Sequence, residues 1–166
     1  TLREKIRALE GIRLNWFLAI ARALQDLNEA GTLAYHGDLK PENILVTGQG
    51  DPANPNPRVK LIDFGLTRRE KEFGGKKVIG TTYYIAPETI TGSQVDRRTD
   101  LYSLGAVLYQ LVTGRLPFEG NSNTAILKGH VERTPDSPSS VRSGVPAALD
   151  EIILRLLEKR PADRYE

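Results

Sequence analysis

A chain of 166 residues, 39% apolar and 27% charged, has the size and composition of one globular domain, long enough to hide about two-thirds of its unfolded surface in a core. Its net charge of +2 is too small to argue for nucleic acid as a partner, and the lack of cysteine excludes a disulfide framework and thiolate chemistry, which fits a reducing, cytoplasmic compartment. The opening TLREKIRALEG has no apolar signal core, and no later stretch approaches the roughly 18 uninterrupted apolar residues of a membrane span. The chain has no methionine and begins at Thr1, so a piece of a longer polypeptide is expected.

In chain order, residues 2–31 read as two helices. The second carries Trp16, Ile20, Leu24 and Leu27 at spacings of three or four and is capped by Gly31. NILV (43–46) and RVKLIDFG (58–65) read as two short strands rich in branched residues, joined by TGQGDPANPNP, whose prolines and asparagines forbid regular structure. Leu66 to Ile85 is irregular, glycine-bearing and basic, and Pro87 and Glu88 then open a short helix. DLYSLGAVLYQLVTG (100–114) is apolar on nearly every helical face, the mark of a helix buried all round and central to the core, with Gly114 closing it. RTPDSPSSVRSGVP (133–146) reads as a proline and serine linker. The last helix, AALDEIILRLLEKR (147–160), has its apolar stripe at Leu149, Ile152, Ile153, Leu156 and Leu157. There is no internal repeat. The expected class is mainly α with a small β hairpin.

The chemistry concentrates in HGDLKPEN (36–43) and the aspartate of IDFG. Asp38, Asn43 and Asp63 are hard oxygen ligands or proton acceptors set at a tight turn or strand edge beside strongly apolar residues. An ionised carboxylate so placed needs a cation or a donor partner. Phosphoryl transfer from a nucleotide fits that demand: Mg²⁺ takes a carboxylate plus phosphates and waters, and an attacking hydroxyl needs a carboxylate to orient it.

Five tracts, HGDLKPENILV, KLIDFG, GTTYYIAPE, DLYSLGAVLYQLVTGRLPF and RPADRY, resemble in order and spacing the signature series of eukaryotic-type serine/threonine protein kinases, in their C-terminal lobe, and look most like bacterial ones. The resemblance implies a kinase-like C-lobe over 1–166, without the N-lobe and the last C-lobe helices. ATP and Mg²⁺ would be the cofactors and a protein bearing Ser or Thr the substrate, with no nucleic acid partner and no membrane segment. Asp38 resembles the aspartate that accepts the substrate hydroxyl's proton, and Lys40 the lysine that touches the transferring phosphate. Asn43 and Asp63 resemble the Mg²⁺ ligands. Leu45, Val107 and Leu111 would continue an apolar column beneath the adenine. His36 resembles a packed ring that braces Phe64, the residue before Gly65, and Thr81 one that hydrogen-bonds the catalytic residues. Glu88 and Arg164 resemble a long-range ion pair, and Asp100 an acceptor for the catalytic-loop amides. His130, with no motif around it, reads as a surface residue.

Two departures stand out. Gly37 occupies the place where most of the family has an arginine that receives an activation-loop phosphate, and from Arg68 through Gly80 there is no Ser, Thr or Tyr. A kinase not switched by mid-loop phosphorylation is therefore expected. HGD also opens the catalytic loop of aminoglycoside and choline kinase-like phosphotransferases, so a small-molecule substrate is one alternative; a non-catalytic pseudokinase or docking module using the groove around PFEGNSNTAILKGH is another. Without a glycine-rich loop and strand lysine ahead of Thr1, the 166-residue chain alone is expected to transfer little phosphate while its parent is active.

Overall fold

The computed structural model describes residues 14–29, 35–47, 58–63 and 82–166. The expected first helix, Gly31, and Phe64, Gly65 and Thr81 lie outside the described residues, as does the side chain of Trp16. Helix α1 spans Leu14–Glu29 and buries Ile20 and Leu24, one turn apart, while Leu18 on the other face is 45% exposed. Strands β1 (Ile44–Thr47) and β2 (Arg58–Leu61) pair antiparallel in the register Ile44 to Leu61 and Thr47 to Arg58, and α1 packs on β2. The predicted hairpin is thus present.

Helices α2 (Pro87–Thr91), α3 (Arg97–Thr113), α4 (Asn123–Glu132), α5 (Pro138–Val141) and α6 (Ala147–Leu156) follow. Asp96 caps α3 by accepting the Arg98 amide at 2.7 Å, and the Gly114 amide closes it on the Gln110 carbonyl. Every residue from Tyr102 to Tyr109 is buried, which covers more than two turns and so every face. That is the central helix read from the sequence, and α1, α5 and α6 pack around it. Gly105 allows α6 to come this near, because a Cβ there would stand 2.7 Å from the Cβ of Leu156. The α6 stripe lies as expected: Leu149, Ile153, Leu156 and Leu157 are buried and Ile152 half-buried against the same core.

Two expectations change. The linker at 133–146 holds the short helix α5, because Pro138 is buried, the Ser139 amide donates to Asp150 at 2.9 Å with its hydroxyl on the other carboxylate oxygen, and Arg142 donates to the Val112 carbonyl. Residues 123–132, for which the sequence announces no element, form α4, capped by the Ser122 hydroxyl. Its buried face is Ile126, Gly129 and His130, so a single aliphatic side chain carries the apolar signal. No helix among the described residues is long and apolar enough to cross a membrane.

Candidate active site

The loop from His36 to Asn43 is fixed from below by α3. In the first turn of that helix Asp100, 4% exposed, accepts the His36 amide at 2.5 Å and the Gly37 amide at 2.8 Å. A carboxylate that takes two backbone amides locks the loop more firmly than neutral acceptors would. Gly37 has φ +79°, and a Cβ there would also come within 3.1 Å of the Tyr35 ring, so the loop has a local reason for glycine. His36 is fully buried; its Nδ1 accepts the Asp38 amide at 3.3 Å, which leaves Nε2–H to donate to the Ile62 carbonyl at 3.1 Å. The ring therefore joins the loop to the end of β2.

Asp38 stands above this base with its side chain 17% exposed. Its Oδ2 accepts from Lys40 Nζ at 2.7 Å and from Asn43 Nδ2 at 3.3 Å, and Nδ2 also donates to the Asp38 carbonyl at 2.8 Å. Its Oδ1 is buried and has no hydrogen-bond partner among the described residues. Pro41 starts a single 3₁₀ turn, Pro41–Asn43, that delivers Asn43 directly into β1. The Ile62 amide donates to the Asn43 carbonyl at 3.0 Å, one step beyond the ladder, and Asp63 comes next. Asp63 is exposed at φ +59°, a backbone region that aspartate tolerates better than most residues. Backbone pairing therefore sets Asn43 and Asp63 at the same, open end of the hairpin.

Strand alternation separates Leu45 from the other two residues of the expected apolar column. Val107 and Leu111 belong to the core with Ile44 and Val46, whereas Leu45 lies on the opposite, half-buried face of β1.

Glu88 and Arg164, 76 residues apart, form a buried bidentate pair, Nη1 to Oε1 at 2.7 Å and Nη2 to Oε2 at 2.9 Å. Arg164 uses its remaining hydrogens on the carbonyls of Glu158, Arg98 and Lys159, so all five are taken. Glu88 also accepts from the Thr99 hydroxyl. Burial pushes its carboxyl up, but the hydrogen bonds and charge of Arg164, helped by its own backbone amide and the Thr99 hydroxyl, outweigh it and hold the group below the usual carboxylate range. Tyr102 lies with its ring 4.9 Å from the Arg164 guanidinium carbon, and burial pushes its hydroxyl well above the ordinary phenol range.

His130 overturns the surface reading. It is fully buried, its Nδ1 is 2.9 Å from the Tyr102 hydroxyl, and its ring meets Phe118 edge-on at 4.9 Å. Burial, aided by the nearby Lys159 cation, pushes its pKa down to about 3. Lys159 stands 4.2 Å from the Phe118 ring centre, donates to the carbonyls of Gly129 and His130, and is itself pushed down to about 8, chiefly by burial. The spacing of Ile126, Gly129 and His130, at i, i+3 and i+4, is the signal that could have placed the imidazole inside.

The protein kinase domain model matches residues 2–166, and the chain belongs to that family. It is 43% identical over 150 residues to the serine/threonine-protein kinase Pkn1 of Myxococcus xanthus, covering 88% of this chain and 21% of that protein. It is 39% identical over 155 residues to the serine/threonine-protein kinase PknB of Mycobacterium tuberculosis, covering 89% and 23%. A probable serine/threonine-protein kinase of Clostridium perfringens is 36% identical over 168 residues, covering 99% and 23%. The chain thus spans only about a quarter or less of the length of these curated relatives.

Proposed function

We propose that these residues form the C-terminal lobe of a serine/threonine protein kinase, transferring the γ-phosphoryl group of ATP to a Ser or Thr hydroxyl of a protein, with the chemistry carried by Asp38. The observation that carries the reading is the two-sided Asp38 carboxylate. One oxygen is held by Lys40 and Asn43, while the other is buried with no partner among the described residues. An unpaired buried carboxylate oxygen is costly to keep, and an incoming hydroxyl is the donor that would satisfy it. Oδ1 then accepts the hydroxyl proton and orients the attacking oxygen. Lys40 Nζ, 2.7 Å from the other oxygen, is the cation at hand for charge that develops on the transferred group.

Asn43 and Asp63 fit Mg²⁺. The amide nitrogen of Asn43 is committed to Asp38, which leaves its amide oxygen as the ligand, and Asp63 offers a carboxylate from the same end of the hairpin. Mg²⁺ is commonly bound through one or two protein ligands, with phosphates and waters filling the rest of its shell. Held by Asn43 and Asp63, Mg²⁺ would supply charge neutralisation to the phosphate oxygens of the nucleotide. Leu45, on the half-buried face of β1 away from the core, is assigned to the nucleotide base.

The names of the relatives support a protein Ser/Thr substrate over a small molecule, and retention of Asp38, Lys40, Asn43 and Asp63 supports an enzyme over a docking module. A cytoplasmic location goes with ATP chemistry and a cysteine-free sequence. The reading includes a kinase not switched by mid-loop phosphorylation: with Gly37 where a phosphate-binding cation would stand and no hydroxyl between Arg68 and Gly80, phosphatase treatment is expected to leave activity unchanged. Transfer of labelled phosphate from ATP by the full-length protein, followed by phosphoamino-acid analysis of a mixed protein substrate, tests the reading. Phosphoserine or phosphothreonine is expected; label confined to tyrosine or to a small-molecule alcohol overturns it.

A further inference from the structure

Glycine has the widest choice of backbone conformations, and Gly37 stands directly before Asp38. A loose peptide at that point would let the carboxylate wander, so the chain has to be held on both sides of the base. After the base, Asn43 Nδ2 donates to the Asp38 carbonyl at 2.8 Å. Before it, Asp100 Oδ1 accepts the Gly37 amide at 2.8 Å, which fixes one side of that peptide from below. The bond from the Asp38 amide to His36 Nδ1 is long, at 3.3 Å, and leaves room for a further restraint.

Tyr35, half-buried and two residues earlier, supplies it. A Cβ at Gly37 would stand 3.1 Å from Tyr35 Cε2 and 3.4 Å from Cδ2, inside the roughly 3.5–4.0 Å of a good carbon contact. The ring therefore occupies the side from which a side chain would leave the backbone. A residue with a Cβ would meet both that ring and a φ of +79°, which L side chains rarely adopt. Glycine and ring fit as a pair: the missing side chain lets the ring in, and the ring restricts the backbone that the missing side chain sets free. The contact needs no charge and no modified residue, which suits a chain with no Ser, Thr or Tyr from Arg68 to Gly80.

We propose that Tyr35 is a positioning residue for phosphoryl transfer: its ring, packed on Gly37, sets the direction in which the Asp38 carboxylate points. Tyr35 acts through Gly37 and touches neither nucleotide nor substrate. The proposal rests on the reading of Asp38 as the base.

Steady-state kinetics of the full-length protein with ATP and a Ser/Thr-containing protein substrate test it, with rates normalised to the folded fraction measured by circular dichroism. Tyr35→Ala is expected to lower kcat about 10- to 100-fold, because a misplacement of about 1 Å can cost about 10²-fold, while KM for ATP and for the protein stay unchanged. Tyr35→Phe keeps the Cδ2 and Cε2 contact and is expected to keep the parent's kcat. Gly37→Ala also lowers kcat, but costs less when added to Tyr35→Ala than in the parent, since the ring it would meet is gone; the two effects do not multiply. An unchanged kcat in Tyr35→Ala, equal losses in Tyr35→Ala and Tyr35→Phe, or effects that multiply independently would overturn the proposal. A loss that vanishes on normalisation means a merely structural ring and overturns it too. If Tyr35→Ala fails to fold, Tyr35→Leu, which keeps apolar volume without the ring, replaces it with the same expected fall in kcat. Asp38→Asn is the separate control: full turnover there sinks the assignment of the base, whereas a loss there beside an unchanged Tyr35→Ala sinks this proposal alone.

Discussion

Replacing Arg164 by methionine removes one side chain and leaves five oxygen contacts without their donors. Glu88 would remain 3% exposed with only the Thr99 hydroxyl as a described donor, and the carbonyls of Arg98, Glu158 and Lys159 would lose theirs. Breaking a buried pair by removing one partner costs about 3–5 kcal/mol, since an uncompensated charge stays behind. For a chain of this size that corresponds to a fall in Tm of roughly 6–20 °C, at about 2–4 °C per kcal/mol. Replacing both partners, as Glu88→Leu with Arg164→Met, removes the stranded charge and is expected to cost less than Arg164→Met alone. Urea unfolding followed by circular dichroism measures both. An Arg164→Met protein within about 1 kcal/mol of the parent, or a double variant less stable than the single, would refute the claim that Glu88 depends on this partner.

Gly105→Ala puts a methyl 2.7 Å from the Leu156 Cβ at the crossing of α3 and α6, and overpacking there is expected to cost about 1–3 kcal/mol by the same unfolding assay; a neutral substitution would mean that the crossing is looser than described. His130 makes stability sensitive to acid. Its pKa falls from 6.5 in the unfolded chain to about 3 in the fold, so below pH 6.5 the unfolded chain binds the extra proton and stability drops as pH falls through that window. Between pH 7 and pH 5 the loss approaches roughly 2 kcal/mol, at about 1.4 kcal/mol per pH unit below 6.5. The Glu88 contribution works in the same direction but begins only near and below pH 4.5. His130→Gln is expected to flatten the curve between pH 7 and pH 5, and a variant with the parent's slope would remove His130 as its cause.

What was legible in the sequence was what a local pattern can carry. The α3 segment is apolar on all faces because it is packed on all faces, and the hairpin is written in branched residues flanking a proline-rich connection. The meeting of Glu88 with Arg164 across 76 residues has no local signature; only the resemblance of the surrounding tracts implied it. Helix α4 was hidden because its buried face is one isoleucine, one glycine and one histidine, and a histidine outside any motif reads as polar. The resemblance grouped Leu45 with Val107 and Leu111, whereas the alternation of β1 sets Leu45 on the face away from them. The linker at 133–146 looked structureless because serine and proline mark turns, but the same residues start a short helix once a carboxylate such as Asp150 receives the free amide.

The central claim is that Asp38 Oδ1, which has no hydrogen-bond partner among the described residues, takes the proton of the substrate hydroxyl. Asp38→Asn keeps the shape of the side chain and can keep an acceptor oxygen toward Lys40, but it removes the basic oxygen. Single-turnover phosphate transfer by the full-length protein is expected to slow by about 10²- to 10⁴-fold, with ATP binding unchanged. A variant that transfers phosphate at the parent's rate would contradict the account.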